Sequence, residues 1–203
     1  MKQRKRKWFD LVLLVVVLVS LSGCVIVENP STGTIELINN SIVTIDGFFL
    51  APVDQRSWGP NILSNLLFSG QQTTIVDIHP GFYDAKIRAS GVYSDYFGYL
   101  YDIAIDAGSR FWLYAYNSSF TGSLEIRNNT VTASILAVYV VPADAPTWGV
   151  NQISSVIVPS GSRHLIDFPP GLYDVKVVWN FGPDSIYYDV RINSLTLTAI
   201  NAI

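Results

Sequence analysis

The 203-residue sequence contains a single cysteine, Cys24, and only two histidines. One cysteine cannot form a disulfide within the chain, and it cannot build a zinc site from several thiolates. Charged residues make up only 14% of the sequence, whereas hydrophobic residues make up 49%. Intrinsic disorder requires the opposite balance, so the composition predicts a folded chain with a sizeable core.

The sequence also lacks the short motifs that mark common catalytic sites. It contains no Gly-x-Ser-x-Gly elbow, no P-loop and no His-Glu-x-x-His pair. Because His79 and His164 fall at non-equivalent positions, nothing indicates a zinc site or a histidine-based triad. We therefore expect no catalytic residues, no metal ligands and no cofactor. A small hydrolase is the alternative if carboxylates pair, and the candidates are Asp77, Asp84, Asp167 and Asp174.

The first 23 residues are typical of a secretory signal peptide. The basic start MKQRKRK precedes the apolar run Leu11 to Val19, and small residues follow it. The sequence Leu21-Ser22-Gly23-Cys24 resembles a bacterial lipobox, the Leu-x-Gly-Cys pattern of lipoprotein signal peptides. This resemblance implies cleavage before Cys24 and a covalent diacylglycerol on its thiol.

An uncleaved transmembrane anchor is the alternative interpretation of the N-terminus. A spanning helix needs about 20 apolar residues, and Leu11 to Val27 offers seventeen, interrupted by two serines and a glycine. In both cases the body of the protein lies outside the cytoplasmic membrane. Val25, not Asp, follows the cysteine, and resemblance to the sorting rule of enteric bacteria then favours the outer membrane. In an organism without an outer membrane, the anchor would be the outer face of the cytoplasmic membrane.

Removal of residues 1–23 changes the charge of the protein. This segment holds five of the thirteen Lys and Arg residues and one of the sixteen Asp and Glu residues. The processed chain keeps 8 positive and 15 negative side chains, which gives a formal charge of −7. Because no run of Lys or Arg remains, nucleic-acid binding has no electrostatic support. The expected partners are a membrane, through the lipid on Cys24, and an envelope protein or a glycan.

Much of the remaining sequence occurs twice. The phrase DIHPGFYDAK, residues 77–86, returns as DFPPGLYDVK, residues 167–176, with six of ten positions identical. GTIELINNSIV returns as GSLEIRNNTVT, and the Trp-Gly pair at Trp58 returns at Trp148, in the same order. The pattern predicts a tandem duplication. The expected segments are a signal peptide at 1–23, a tether at 24–31 and two domains at 32–117 and 120–203.

Each repeat is expected to be an antiparallel β-sandwich, which makes the protein all-β. Strand-forming residues are abundant, and the turn-forming residues Gly, Pro and Asn separate them at short intervals. In the long connection after Pro52, the stretch that starts at Trp58 is a candidate helical turn. Pro80 and Gly81 suit the centre of a type II turn. The strands predicted in the first repeat are 33–39, 42–51, 72–78, 82–89, 92–106 with a turn inside, and 110–116.

The residues after the Pro-Gly pair alternate between two faces of a strand. Tyr83, Ala85 and Ile87 form the apolar set, so we expect them to face the core. The tyrosine hydroxyl then needs a partner, often the backbone of a corner loop. The phrase resembles the Pro-Gly-x-Tyr-x-Val pattern of prealbumin-like and Ig-like bacterial sandwiches. The resemblance implies this fold and no particular activity.

Aromatic side chains are the remaining candidates for ligand binding. Trp58 and Trp148 either stack on a sugar or fold onto their own sandwich and cover it. A later segment holds four tyrosines in twelve residues, and a hairpin with Tyr93, Tyr96 and Tyr99 at its tip would be a recognition surface. The alternative there is a twisted hairpin that covers the core. The sequence thus favours a lipid-anchored, non-catalytic binding or structural module of the envelope, with a carbohydrate-binding module that uses these aromatics as the alternative.

Overall fold

The computed structural model describes residues 31–91 and 95–203, and the stretch from Ser31 to Ile203 is one compact unit. The predicted signal peptide, the lipobox with Cys24 and most of the tether lie outside the described residues, as does Tyr93. Within the described ranges, no helix combines the length and the apolar character needed to cross a membrane.

The first half of the described chain is a β-sandwich of two three-stranded sheets. Its strands are β1 (Gly33–Asn39), β2 (Thr44–Pro52), β3 (Gln72–Ile78), β4 (Gly81–Ser90), β5 (Asp95–Ile105) and β6 (Arg110–Ala115). One sheet has the order β3-β1-β6, and the other has the order β2-β4-β5. Neighbouring strands are antiparallel except for β1 and β6, which run parallel.

The second half has the same arrangement after a short 3-10 turn at Asn117–Ser119. Its strands are β7 (Gly122–Asn128), β8 (Ile135–Pro142), β9 (Ser162–Phe168), β10 (Gly171–Trp179), β11 (Ser185–Ile192) and β12 (Leu197–Ala202). The sheets have the orders β9-β7-β12 and β8-β10-β11, and β7 and β12 are the parallel pair. The predicted all-β sandwich class is confirmed, with one parallel pair in each half that was not expected. The shared pairing supports an internal repeat, while the limits 32–117 and 120–203 stay predictions.

Alternating side chains explain why each pair of sheets closes around a core. On β4, Ala85, Ile87 and Ala89 are buried between the sheets, whereas Asp84 and Lys86 lie on the opposite face. Burying one large aliphatic side chain stabilises the fold by about 1.5–3 kcal/mol. Each half has its own core, and the fully buried side chains include Ile35, Leu37 and Phe48 in the first and Leu124, Ile126 and Val175 in the second.

A buried asparagine closes the first turn of each half. Asn39 donates from Nδ2 to the carbonyls of Val43 and Leu67, both at 2.8 Å, and its Oδ1 accepts from Ser41. Asn128 donates in the same way to two carbonyls of the second half, at 2.8 and 3.0 Å. The following asparagine is exposed in each half. The repeated Asn-Asn doublet therefore has one structural member and one surface member.

The connection between β2 and β3 does not contain the helical turn predicted at Trp58, since residues 58–63 are not helical. Instead, the Asn61 Oδ1 accepts from the Phe48 N–H at 2.9 Å, and the Ile62 N–H donates to the Phe48 carbonyl at 2.9 Å. In the second half, the Asn151 Oδ1 accepts from the Val138 N–H of β8, also at 2.9 Å. The connection thus bonds to the open edge of β2, and this bonding replaces the hydrogen bonds that a helix would supply.

Two further expectations for this region are wrong. Gly81 does not adopt the positive φ that a type II turn requires, and the left-handed residues are Asp77 and Asp167, with φ of 60° and 71°. Aspartate tolerates this conformation because its side chain can bond to nearby backbone. The segment predicted as 92–106 with a turn inside contains one continuous strand, β5, which pairs along β4 with a bulge. Tyr96, Tyr99 and Tyr101 therefore lie along a strand, whereas Tyr93 falls outside the described residues.

Candidate functional site

The repeated phrase contributes a tyrosine that fixes a turn in each half. The Tyr83 hydroxyl donates to the His79 carbonyl at 2.9 Å, and the Tyr173 hydroxyl donates to the Pro169 carbonyl at 2.7 Å. These are the corner-loop backbone partners expected for a tyrosine at the start of a strand. Burial raises the pKa of Tyr173 above its ordinary value. Both hydroxyls are committed to the fold.

The carboxylates of the phrase support a bulge in the neighbouring strand. The Asp84 Oδ1 accepts from the Asp102 N–H at 3.1 Å, and the Asp174 Oδ1 accepts from the Asp189 N–H at 3.1 Å. Asp102 and Asp189 have positive φ values of 57° and 53°, so each bonded N–H belongs to a left-handed residue. Within the described ranges, no three potential metal-ligating side chains come together. The geometry gives these aspartates a structural role.

The lysine of the phrase holds a tryptophan against each sandwich. The Lys86 Nζ lies 5.3 Å from the ring centroid of Trp58, and the Lys176 Nζ lies 5.9 Å from that of Trp148. Each ammonium also lies over a ring of the neighbouring strand, at 4.7 Å in the first half and 5.5 Å in the second. Both tryptophans are partly buried. Because the contact occurs in both halves, it fits a packing role for Trp58 and Trp148.

Tyr96 and Tyr99, the other predicted aromatic residues that the structure describes, are engaged within the protein. Tyr96 is buried in the first core. Tyr99 packs near Trp58 and Tyr101, with ring centroids at 5.9 and 6.2 Å, and its hydroxyl donates to the Asp167 Oδ2 of the second half at 2.6 Å. Burial, together with the bond to Asp167, raises the pKa of Tyr99 far above its ordinary value. Tyr99 therefore joins the two sandwiches.

Backbone groups at Thr121 also join the halves. The Thr121 N–H donates to the Phe97 carbonyl at 2.7 Å, and its hydroxyl accepts from the Phe97 N–H at 3.0 Å. Its carbonyl accepts from the Leu195 N–H of the second half at 3.1 Å. Gly98 packs so closely here that an added Cβ would stand 2.8 Å from the Ser119 carbonyl oxygen. A side chain at this position would push against backbone and not against a mobile group.

A row of exposed aromatic rings on β6 and at the extended residue that follows it was missed by the sequence reasoning. Trp112, Tyr114 and Tyr116 are 47%, 45% and 50% exposed, and Leu113 and Ala115 between them are buried. The rings of Tyr114 and Tyr116 are 6.2 Å apart and inclined by only 16°. We call these three residues the aromatic stripe. In RFWLYAY, Trp and Tyr occupy the alternate positions that face solvent, and this alternation is the signal that could have predicted the aromatic stripe.

Polar side chains adjoin the aromatic stripe on the same face of the sheet. Glu36 of β1 lies beside Trp112 in the parallel register, and it is only 4% exposed. Its Oε2 accepts from the Thr74 hydroxyl at 2.9 Å, and its Oε1 lies 3.5 Å from the Arg110 Nη1. The Arg110 guanidinium also lies 5.9 Å from the centroid of Trp112. The stripe thus begins at a carboxylate–guanidinium pair of balanced charge.

The second half keeps the carboxylate but not the rings. Glu125 corresponds to Glu36, and a hydrogen bond from Arg127 is the main cause that lowers the pKa of Glu125. On β12, the residue beside Glu125 is Ala199, and the residue beside Arg127 is Asn201. These positions correspond to Trp112 and Tyr114 in the first half. The fold therefore does not need aromatic residues at this strand.

A cavity of about 480 Å³ opens between β3 and the long connection of the first half. Asp77 and His79 lie in its wall with several apolar side chains, which include Leu50, Ile62, Leu63, Ile75 and Ile78. The His79 carbonyl there already accepts from Tyr83. The cavity forms part of the corner that the tyrosine closes, and sequence reasoning did not predict it.

No protein-family model matches the chain, and no curated protein matches it. Among solved structures, the Bacillus anthracis TIE protein is similar at 14% identity over 84% of this chain, with a TM-score of 0.29, and the match spans only 34% of that protein. The Streptococcus agalactiae minor pilin GBS52 matches at 12% identity over 84% of this chain and 94% of its own, with a TM-score of 0.30. The Lactobacillus rhamnosus GG shaft pilin SpaA matches at 10% identity over 85% and 99%, with a TM-score of 0.28. These scores are too low to support an inference, so the fold rests on the structure itself.

Proposed function

We propose that this protein is a non-catalytic binding module of the bacterial cell envelope, held at a membrane by a lipid on Cys24. The observation that carries the binding role is the aromatic stripe, which the equivalent strand β12 lacks. A requirement of the fold would be met in both halves, whereas a binding face is needed only once. Three exposed aromatic residues on one face of a sheet support an interaction site there.

The location of the module is argued from the sequence. The stretch Leu21 to Cys24 supports lipid attachment, and Val25 favours the outer membrane where the organism has one. A tether of about eight residues would keep the first sandwich within about 25–30 Å of the membrane at full extension. The first sandwich, which carries the aromatic stripe, would then lie in the layer of the envelope next to that membrane.

The version in which loop aromatics bind a carbohydrate has weaker support. Trp58 and Trp148 are held by lysines in both halves. Tyr96 is buried, and the Tyr99 hydroxyl is bound to Asp167. A ligand at these rings would have to displace contacts that the fold already makes. The hydrolase alternative has weaker support still, because Asp84 and Asp174 bond to backbone.

The anchor is tested by the intact mass of the protein extracted from membranes, beside a Cys24→Ala variant. We expect the wild type to lack residues 1–23 and to carry the mass of lipid, and the variant to stay unprocessed. A wild-type protein that keeps Met1 and carries no lipid would contradict the lipoprotein assignment. That result would leave the binding role of the aromatic stripe open to its own test.

The binding role is tested by sedimentation of a soluble form, from Val25 onward, with envelopes isolated from the producing bacterium. We expect the wild type to sediment and a variant with Trp112→Ala, Tyr114→Ala and Tyr116→Ala to stay largely in solution. Tyr188→Ala is the matched control, because Tyr188 is an exposed aromatic on β11 of the other half. Equal sedimentation of the wild type and the triple variant would refute the proposal.

A further inference from the structure

We infer that the aromatic stripe binds an uncharged polysaccharide chain, an inference that rests on the proposed binding role of the same face. The negative face of an aromatic ring attracts weakly positive groups at its surface. The faces of pyranose rings present C–H groups of this kind. Trp112, Tyr114 and Tyr116 are three aromatic residues of this kind, each about half exposed. Tyr and Trp also supply contact area at a low cost in side-chain entropy.

The spacing of the rings fits an elongated ligand. A strand rises about 3.4 Å per residue, so alternate side chains stand about 7 Å apart and the stripe spans about 14 Å. The centroids of Tyr114 and Tyr116 are 6.2 Å apart, in agreement with this spacing. A single sugar covers only part of that length, whereas a linear chain of several sugars can contact all three rings. The site is therefore better suited to a polymer than to a free monosaccharide.

The charge around the aromatic stripe favours a neutral ligand. Arg110 and Glu36 lie 3.5 Å apart and balance each other, and the Thr74 hydroxyl donates to the same carboxylate. The Arg110 side chain is 57% exposed, so its guanidinium can still donate to a sugar hydroxyl. A polyanion would meet the negative charge of the processed chain, which is −7 by formal count of 8 positive and 15 negative side chains.

A lipid surface fits the same rings less well. Segments that lie on anionic membranes combine aromatic residues with several Lys or Arg residues, each of which contributes to binding. In the described part of the chain, the cation that contacts the stripe is Arg110, and it is already paired with Glu36. Charge and shape together therefore select a neutral polysaccharide over a membrane.

The test is affinity electrophoresis of the soluble form from Val25 onward in gels that contain a neutral β-glucan, a galactomannan or the anionic polygalacturonate. Sedimentation with chitin and with vesicles of phosphatidylethanolamine and phosphatidylglycerol completes the set. We expect retardation or co-sedimentation with at least one neutral polysaccharide and none with polygalacturonate or vesicles. Trp112→Ala should weaken that binding about tenfold, since about 1.4 kcal/mol of ring contact corresponds to that factor. Tyr188→Ala should leave it unchanged, and Trp112→Phe should keep most of it.

Four outcomes would overturn the inference. Neutral polysaccharide binding that is equal in the wild type and Trp112→Ala would place the site elsewhere. Vesicle binding that Trp112→Ala abolishes would make lipid the occupant. Binding to isolated envelopes without binding to any neutral polysaccharide would overturn the ligand class and leave the proposed function standing. If the wild type binds neither envelopes nor polysaccharides, both the inference and the proposed function fail.

Discussion

Replacement of Asn39 by alanine tests how the fold uses its repeated Asn-Asn doublet. The Asn39 carboxamide is fully buried, donates to the Val43 and Leu67 carbonyls at 2.8 Å, and accepts from Ser41 at 3.0 and 2.6 Å. A hydrogen bond contributes about 0.5–1.5 kcal/mol net, and a buried polar group left without a partner costs about 1–3 kcal/mol. Because the lost bonds share one side chain, we expect Asn39→Ala to lower the free energy of unfolding by about 3 kcal/mol.

The measurement is urea unfolding of the soluble form, followed by tryptophan fluorescence, with Asn40→Ala as the control. Asn40 is exposed, so its replacement should change the free energy of unfolding by less than about 0.5 kcal/mol. The second half provides an independent repetition, with Asn128→Ala as the damaging change and Asn129→Ala as its control. If Asn39→Ala and Asn40→Ala unfold at the same urea concentration, the buried carboxamide does not close the turn and the reasoning is refuted.

Three further perturbations address the contacts around the joint and the lysine. Burial and Asp167 raise the pKa of Tyr99, so the stability that its neutral phenol contributes should be present below about pH 10 and should fall as the pH rises further. In a pH series of thermal melts, Tyr99→Phe should therefore lose less stability at alkaline pH than the wild type. An equal alkaline loss in the two proteins would contradict this. Gly98→Ala should lower the free energy of unfolding by about 1–3 kcal/mol, because its added Cβ meets a backbone oxygen. Gly81→Ala, where the nearest atom is 3.5 Å away, should lower it clearly less. Equal melting temperatures for the two variants would contradict the close packing at Gly98. Lys86→Met should lower the free energy of unfolding by about 0.5–1 kcal/mol and shift tryptophan emission to the red, and an unchanged emission would argue against the contact.

The strands of the first half were predictable because their pattern is local. β1 and β3 have the predicted limits, and β2, β4 and β6 differ from theirs by one or two residues. Period-two alternation and the Asn-Asn and Pro-Gly signals are enough to set these limits. The Trp58 connection was mispredicted because its conformation depends on Asn61 bonding to β2, a contact across thirteen residues. The parallel pairing of β1 with β6 is likewise set by packing at long range.

The candidate site was harder to predict for a different reason. Sequence reasoning selected aromatic residues that stand out by density, such as Tyr96 and Tyr99, and the structure places these in the core and at the joint. The aromatic stripe lies in a segment, RFWLYAY, that is at least as rich in aromatic residues. Its rings gather on one face because residues 110–116 are extended, and aromatic density alone does not show this. The comparison with Ala199 and Asn201 needs the register of β12, which no local pattern supplies.

The most direct test of the binding role is hydroxyl-radical footprinting of the wild-type soluble form, alone and with isolated envelopes. Oxidation of each aromatic residue is quantified by peptide mass spectrometry. The account predicts protection of Trp112, Tyr114 and Tyr116 on binding, and unchanged oxidation of the exposed Tyr101 and Tyr188. Unchanged oxidation of the aromatic stripe, with protection at Tyr101 or Tyr188, would contradict it and move the binding face to another surface of the molecule.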